Sequence, residues 1–151
     1  MVTADFTQDL MGKQKVGAEL FEQPYDRILL DAPCSGLGVL RRHPEGKWQK
    51  GEGLLAHHQA AQIQMLEQVS RLLRPGGVLV YSTCSTEPDE NEDVIERFCK
   101  THAEFRRESV SSWLPPTARV LLNAQGDLST MFSPYPMDAF FAARLRKAET
   151  V

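Results

Sequence analysis

Apolar residues in this chain fall into short continuous runs and longer periodic ones, with turn-forming segments between them. Arg27-Ile28-Leu29-Leu30 and Val78-Leu79-Val80-Tyr81 are continuous rather than alternating. Runs of that kind read as strands of a sheet covered on both faces. Pro24-Tyr25-Asp26 leads into the first, and Asp31-Ala32-Pro33 ends it, because proline cannot continue a central ladder. The longer run, His57 to Leu73, places Ile63, Leu66, Val69, Leu72 and Leu73 on one helical stripe. Glu67 and Arg71 make an i,i+4 pair, and Arg71 and Arg74 complement the carboxyl end of the helix dipole. Pro75-Gly76-Gly77 then stops this helix ahead of the second strand.

A second helix is predicted from about Pro88 to Lys100, burying Val94, Ile95, Phe98 and Cys99. Cys99 reads as a small core residue. Thr86, with Asp89 three residues on, looks like an N-cap with a short carboxylate partner. Glu87, Asp89, Glu90, Glu92 and Asp93 load the first turns with the negative charge that the macrodipole favours. Leu128 to Phe132 and Ala139 to Leu145 read as an antiparallel strand pair with a wide connection over 133–138. Met1 to Asp5 has the length of a strand end only, Phe6 to Gln23 reads as loop with one helical turn, and 105–116 has no clear pattern. The order is α/β with an antiparallel finish. No repeat or linker divides it, so residues 1–151 are expected to form a single domain.

The 151 residues, 42% hydrophobic and 25% charged, describe an ordinary globular chain able to bury a core. Its apolar runs are too short to cross a bilayer, and its first residues lack the basic start and apolar core of a secretory signal. Three cysteines without CxxC spacing point to free thiols in a reducing cytoplasm rather than to a metal site. A net charge of −3 is unlike a nucleic-acid binder as a whole. The exception is Arg41-Arg42-His43-Pro44-Glu45-Gly46-Lys47-Trp48-Gln49-Lys50, which reads either as a solvated loop or as a local basic patch.

Candidate chemistry sits at the ends of the two strands. Asp31-Ala32-Pro33-Cys34-Ser35-Gly36 follows the first, and Ser82-Thr83-Cys84-Ser85 follows the second. Open α/β sheets bind ligands at that edge. Either cysteine alone could be an inert thiol, and Asp31-Ala32-Pro33 alone could be turn chemistry. Two thiols and a carboxylate at equivalent places suggest nucleophilic chemistry. Cys84 is a plausible thiolate, because a helix amino end follows it within a few residues and lowers a thiol pKa, although the acids there partly offset this. A thiol hydrolase using Cys34 or Cys84 with His57 or His58 is a weaker alternative, since no third group is implied to orient either histidine.

These two motifs, with Arg41 to Trp48 and Pro88-Asp89-Glu90-Asn91-Glu92, resemble the Sun/Fmu (RsmB-like) family of RNA (cytosine-5) methyltransferases. The likeness runs from about Val2 to Lys147. It implies a class I (Rossmann-like) methyltransferase fold, S-adenosylmethionine as cofactor and an RNA partner, with ribosomal RNA foremost. In that chemistry a thiolate adds to C6 of cytosine, which makes C5 electron-rich enough to accept a methyl group from a sulfonium donor. By the resemblance Cys84 matches the nucleophile and Cys34 the second cysteine that helps release product. Asp31 matches the acid that contacts the cytosine, Pro33 lines the same site, and both border the donor. Asp5 falls near the adenine end of the donor. Arg41, Arg42, Lys47 and Lys50 are the candidate RNA contacts, with Trp48 expected to be packed.

The chain departs from the family pattern in two ways. The glycine-rich donor loop, the catalytic-site lysine, the ribose-holding acid and the first two strands are not represented. The chain is therefore expected to be the carboxyl-terminal part of a catalytic domain, truncated on its amino-terminal side. It should bind S-adenosylmethionine weakly or not at all, and, with the edge of strand 27–30 open, dimerise, swap its amino-terminal segment or fold Met1 to Gln23 back over the gap. The alternative is a fragment deficient in donor binding that acts as a non-enzymatic RNA or protein interaction module. Asp138-Ala139-Phe140-Phe141 also stands where the family usually has Asp-Gly-Phe-Phe.

Overall fold

The computed structural model describes residues 24–49 and 53–149. Asp5, Lys50 and the segment 1–23 lie outside them. Strand β1 (Tyr25–Asp31) leads through 3₁₀ turns at Leu37–Val39 and Pro44–Gln49 to helix α1 (Leu54–Arg71). Strand β2 (Leu73–Thr83), a 3₁₀ turn (Pro88–Glu90) and helix α2 (Glu92–Thr101) follow. Strands β3 (Phe105–Glu108), β4 (Leu128–Ser129) and β5 (Phe141–Lys147) complete the order. The sheet runs β1-β2-β5-β3, with β4 also on β5. β1 and β2 are parallel, and every pairing with β5 is antiparallel. The late pair forms antiparallel as expected but is shorter, with β4 only two residues long and β5 starting at Phe141; Leu128 lies opposite Ala142 and Ser129 opposite Phe141.

Both helices pack against one face of the sheet. Leu66 and Val69 of α1 and Val94, Ile95 and Phe98 of α2 meet Leu30, Leu79, Tyr81, Ala143 and Leu145 there. Cys99 packs at the border of this core, as expected. The opposite face departs from the expected double cover: Leu29, on the continuous apolar strand, is 70% exposed. That face carries arginines instead, with Arg144 and Arg146 paired to Glu108 and Arg144 stacked on the Trp113 ring at 4.8 Å. Among the described residues β1 is an edge strand.

Element ends also moved. α1 starts three residues before His57, and β2 begins at Leu73, so Pro75-Gly76-Gly77 lies inside the strand. The ladder absorbs it as an irregularity: Tyr25 pairs with Leu73 but Arg27 with Val78, and Gly76 takes φ 73°. The second helical segment is split into a 3₁₀ turn and α2, joined at Asn91. Thr86 does not cap it; its hydroxyl donates to Glu87. Among the described residues no helix is long and apolar enough to cross a membrane.

Candidate active site

Parallel pairing of β1 and β2 places Asp31 opposite Ser82, so the two following loops leave the same edge of the sheet side by side. Ser82 donates a hydroxyl hydrogen bond to Asp31 at 3.0 Å, and the Ala32 N–H donates to the Ser82 carbonyl at 2.9 Å. Three residues past Asp31 and two past Ser82 the thiols meet: Cys34 Sγ and Cys84 Sγ are 3.2 Å apart. The Cys84 N–H also donates to Cys34 Sγ at 3.3 Å. Both thiols are free and half-buried. Asp31, Cys34 and Cys84 are thus gathered at the carboxyl ends of neighbouring strands, while Pro33 lies exposed between them with its carbonyl accepting from Gln62.

The charge state of Cys84 departs from expectation. Burial, the hydrogen bond and charge of Cys34 and the charge of Asp31 push its thiol up to about 12. The helix expected to lower it starts only at Glu92, after a 3₁₀ turn and Asn91. Cys84 is therefore a protonated thiol at neutral pH.

A buried polar network behind the thiols joins the two loops. Glu90 is fully buried, and its carboxylate accepts from the Ser35 N–H at 2.8 Å, the Ser35 hydroxyl at 2.5 Å, the Ser85 hydroxyl and the Gln62 amide at 3.3 Å. Tyr81 donates to the Glu90 carbonyl at 2.6 Å. Asn91 accepts from Thr83 at 2.5 Å and donates to the Ser85 carbonyl at 3.0 Å. From sequence, Glu90 was one of several acids serving a dipole. The missed signal is its spacing: Glu90, Val94 and Phe98 fall on one helical stripe, and an acid on an apolar stripe needs donors.

A glycine closes the other side. The Gly38 N–H donates to the Cys84 carbonyl at 2.9 Å, and the Gly38 carbonyl accepts from the Ala139 N–H at 3.0 Å. Ala139, the departure from the family pattern, costs no strain, since among the described residues only glycines have positive φ. Arg41 and Arg42 both pair with the buried carboxylate of Asp138 while staying more than 60% exposed, which ties the basic loop to the same turn. Lys47 is exposed. Trp48 is 89% exposed rather than packed. His57 and His58 sit edge to face with centroids 6.1 Å apart, and among the described residues neither hydrogen-bonds a thiol. The arrangement lacks a hydrolase dyad.

The sequence matches the family model described as 16S rRNA methyltransferase RsmB/F over residues 3–146. It is 40% identical over 123 residues to a probable ribosomal RNA small subunit methyltransferase B of Synechocystis, covering 82% of this chain and 27% of that protein. A protein of the same description from Bacillus subtilis is 36% identical over 140 residues, covering 92% and 31% respectively. The chain thus spans less than a third of either relative. Among solved structures, a methyltransferase homolog from Pyrococcus horikoshii superposes with a TM-score of 0.64 at 30% identity, covering 86% of this chain and 41% of that one. NSun6 from the same organism, solved with SFG, gives 0.72 at 24% identity, covering 99% and 34%. The fold is that of the class I methyltransferases, in part. With the model match spanning nearly the whole sequence, the chain belongs to the 16S rRNA methyltransferase RsmB/F family.

Proposed function

We propose that this chain supplies the nucleophile side of an S-adenosylmethionine-dependent methyltransferase that forms 5-methylcytosine in small-subunit ribosomal RNA in the cytoplasm. The observation that carries the reading is the pair of thiols 3.2 Å apart at the ends of parallel strands, with Asp31 beside them. In this reading Cys84 attacks C6 of the cytosine, and as the C–S bond forms the C5–C6 and C4–N3 π electrons shift onto N3, which takes the proton that the sulfur gives up. Asp31, exposed at the strand end, accepts in this reading from the protonated N3 and exocyclic amine of the adduct, stabilising it. Cys34, in contact with the attacking sulfur, assists transfer of the C5 proton to water, and the C5–C6 double bond re-forms as the Cys84 C–S bond breaks and the product leaves.

S-adenosylmethionine, when bound, supplies the methyl group. The described residues fit one wall of its site. Leu29 and Asp31 lie two residues apart on the uncovered face, offering apolar surface and a carboxylate suited to a cationic sulfonium. Asp5 and Pro33 are proposed to border the same site, and Arg41, Arg42, Lys47 and Lys50 to meet the RNA backbone. The open β1 edge also supports association with further chain along that strand.

The test uses unmethylated small-subunit RNA and methyl-labelled donor, with the remaining length of a relative supplied in trans. Cys84→Ala should abolish labelling, and Cys34→Ala should accumulate an RNA–protein adduct on a denaturing gel. Labelling by Cys84→Ala at the normal rate would overturn the reading. Donor-independent RNA binding with no labelling by the parent would favour an interaction module instead.

A further inference from the structure

We infer that Glu90 is a positioning residue: its buried carboxylate sets the spacing of Cys34 and Cys84 by holding the residue after each cysteine. Its catalytic meaning rests on the proposed function above, but the geometric claim does not. Glu90 has no exposed surface, and among the described residues no cation pairs with it. A buried carboxylate survives only when its lone pairs are filled. Here four donors fill them, which is its capacity. Ser35 follows Cys34, Ser85 follows Cys84, and Gln62 belongs to α1.

One oxygen, Oε2, takes both serine hydroxyls, and these lie 3.2 Å from each other, the same separation as the two sulfurs. The two loops are therefore pinned in parallel one residue beyond the thiols. The anchor is itself fixed, because Tyr81 holds the Glu90 carbonyl and Gln59 donates to the Asp89 carbonyl at 2.5 Å. A leucine would fill similar volume with less desolvation cost, yet it would remove the acceptor that the two serine hydroxyls and the Ser35 N–H share. Reaction between oriented groups is sensitive to misplacement of about 1 Å, which costs on the order of 100-fold. A brace one residue from both sulfurs acts at that scale.

The thiol pair is its own ruler. In a C99S background of the full chain, diamide takes the two thiol hydrogens of Cys34 and Cys84, becomes the hydrazine, and leaves a disulfide. Its rate of formation reads how often the sulfurs meet. Glu90→Gln keeps the reach: its amide oxygen can accept from the Ser35 N–H and Gln62, and its NH₂ can donate to the serine hydroxyls. It should cross-link within about threefold of the parent, whereas Glu90→Ala should be slower by about tenfold or more. Should Glu90→Ala fail to fold by circular dichroism, the double variant S35A/S85A decides, since it removes both hydroxyl donors without emptying the core. It should show the same slowing. Cross-linking at the parent rate in a folded Glu90→Ala or S35A/S85A chain would overturn the inference. So would a Glu90→Gln chain as slow as Glu90→Ala, because charge rather than reach would then be responsible. A positive ruler result in a chain that never methylates RNA would uphold the brace and count against the proposed function alone.

Discussion

Gly38→Ala is the sharpest single perturbation of the site. A Cβ built on Gly38 would lie 2.8 Å from the Cys84 carbonyl oxygen and closer still to that of Ala139. An ordinary C···O contact is about 3.3 Å, so Cys84 must retreat by roughly 0.5 Å and Ala139 by more. Those are the partners of Gly38 in the hydrogen bonds of 2.9 and 3.0 Å, so both bonds are lost or badly stretched. Each lost bond costs about 1 kcal/mol net, and overpacking adds about 1–3 kcal/mol. The sum, roughly 3–5 kcal/mol, corresponds to a melting temperature lower by on the order of 10 °C for a domain of this size. Thermal unfolding followed by circular dichroism measures it. Gly46→Ala is the control: among the described residues its new Cβ would meet only a Leu40 methyl at 3.4 Å, and it should melt within about 1–2 °C of the parent. The diamide cross-linking rate should fall together with stability in Gly38→Ala, because the displaced carbonyl belongs to Cys84 itself. A Gly38→Ala chain that melts with the Gly46→Ala control would show that the approach of these three backbones is not tight, and the reasoning would fail.

Three further outcomes follow from the same geometry. Because the Cys84 thiol is pushed up to about 12 from an ordinary 9.0, iodoacetamide should modify it slowly at pH 8 compared with the urea-unfolded chain, and Cys34→Ser should speed it. By linkage, stability carried by this group is fully present below pH 9 and falls as pH rises toward 12, since the unfolded thiol gives up its proton first; a folded-state alkylation profile with its inflection near neutrality would contradict this. Reversing Arg41 and Arg42 to glutamate strands the buried Asp138 among like charges, so RNA affinity in fluorescence anisotropy should drop and its salt slope should shrink by about two. Asp138→Asn, which keeps both cations, should retain the slope, and unchanged binding by the double reversal would remove this loop from the RNA surface. Phe98→Ala empties a fully buried site stacked on His102 at 4.2 Å and edge-on to Phe105 at 5.1 Å, and should cost about 3–5 kcal/mol in urea unfolding; a loss under 1 kcal/mol would mean the core refills.

Those parts of the molecule governed by local periodicity and by order along the chain can be read from the residues alone. The stripe of Leu66 and Val69, the buried face of Val94, Ile95 and Phe98, the run 78–81 and the late pair on β5 were all legible, because a core-facing residue must recur at the period of its own element. So was the position of each cysteine just past a strand. Only tertiary structure decided what those residues face. The thiols are 50 residues apart and meet because β1 and β2 pair in parallel with Asp31 opposite Ser82. Arg41 and Arg42 find Asp138 across about two thirds of the chain, which turns a patch that looked solvated into an anchored loop. The exposure of Leu29 and Trp48, the strand running through Pro75-Gly76-Gly77, and the raised pKa of Cys84 likewise depend on neighbours that no local window contains. Glu90 shows the division most clearly. Its charge suited a helix start, and its spacing put it on an apolar face. The choice between the two was made by four donors from three separate segments, which fill a carboxylate only once the chain has closed around it.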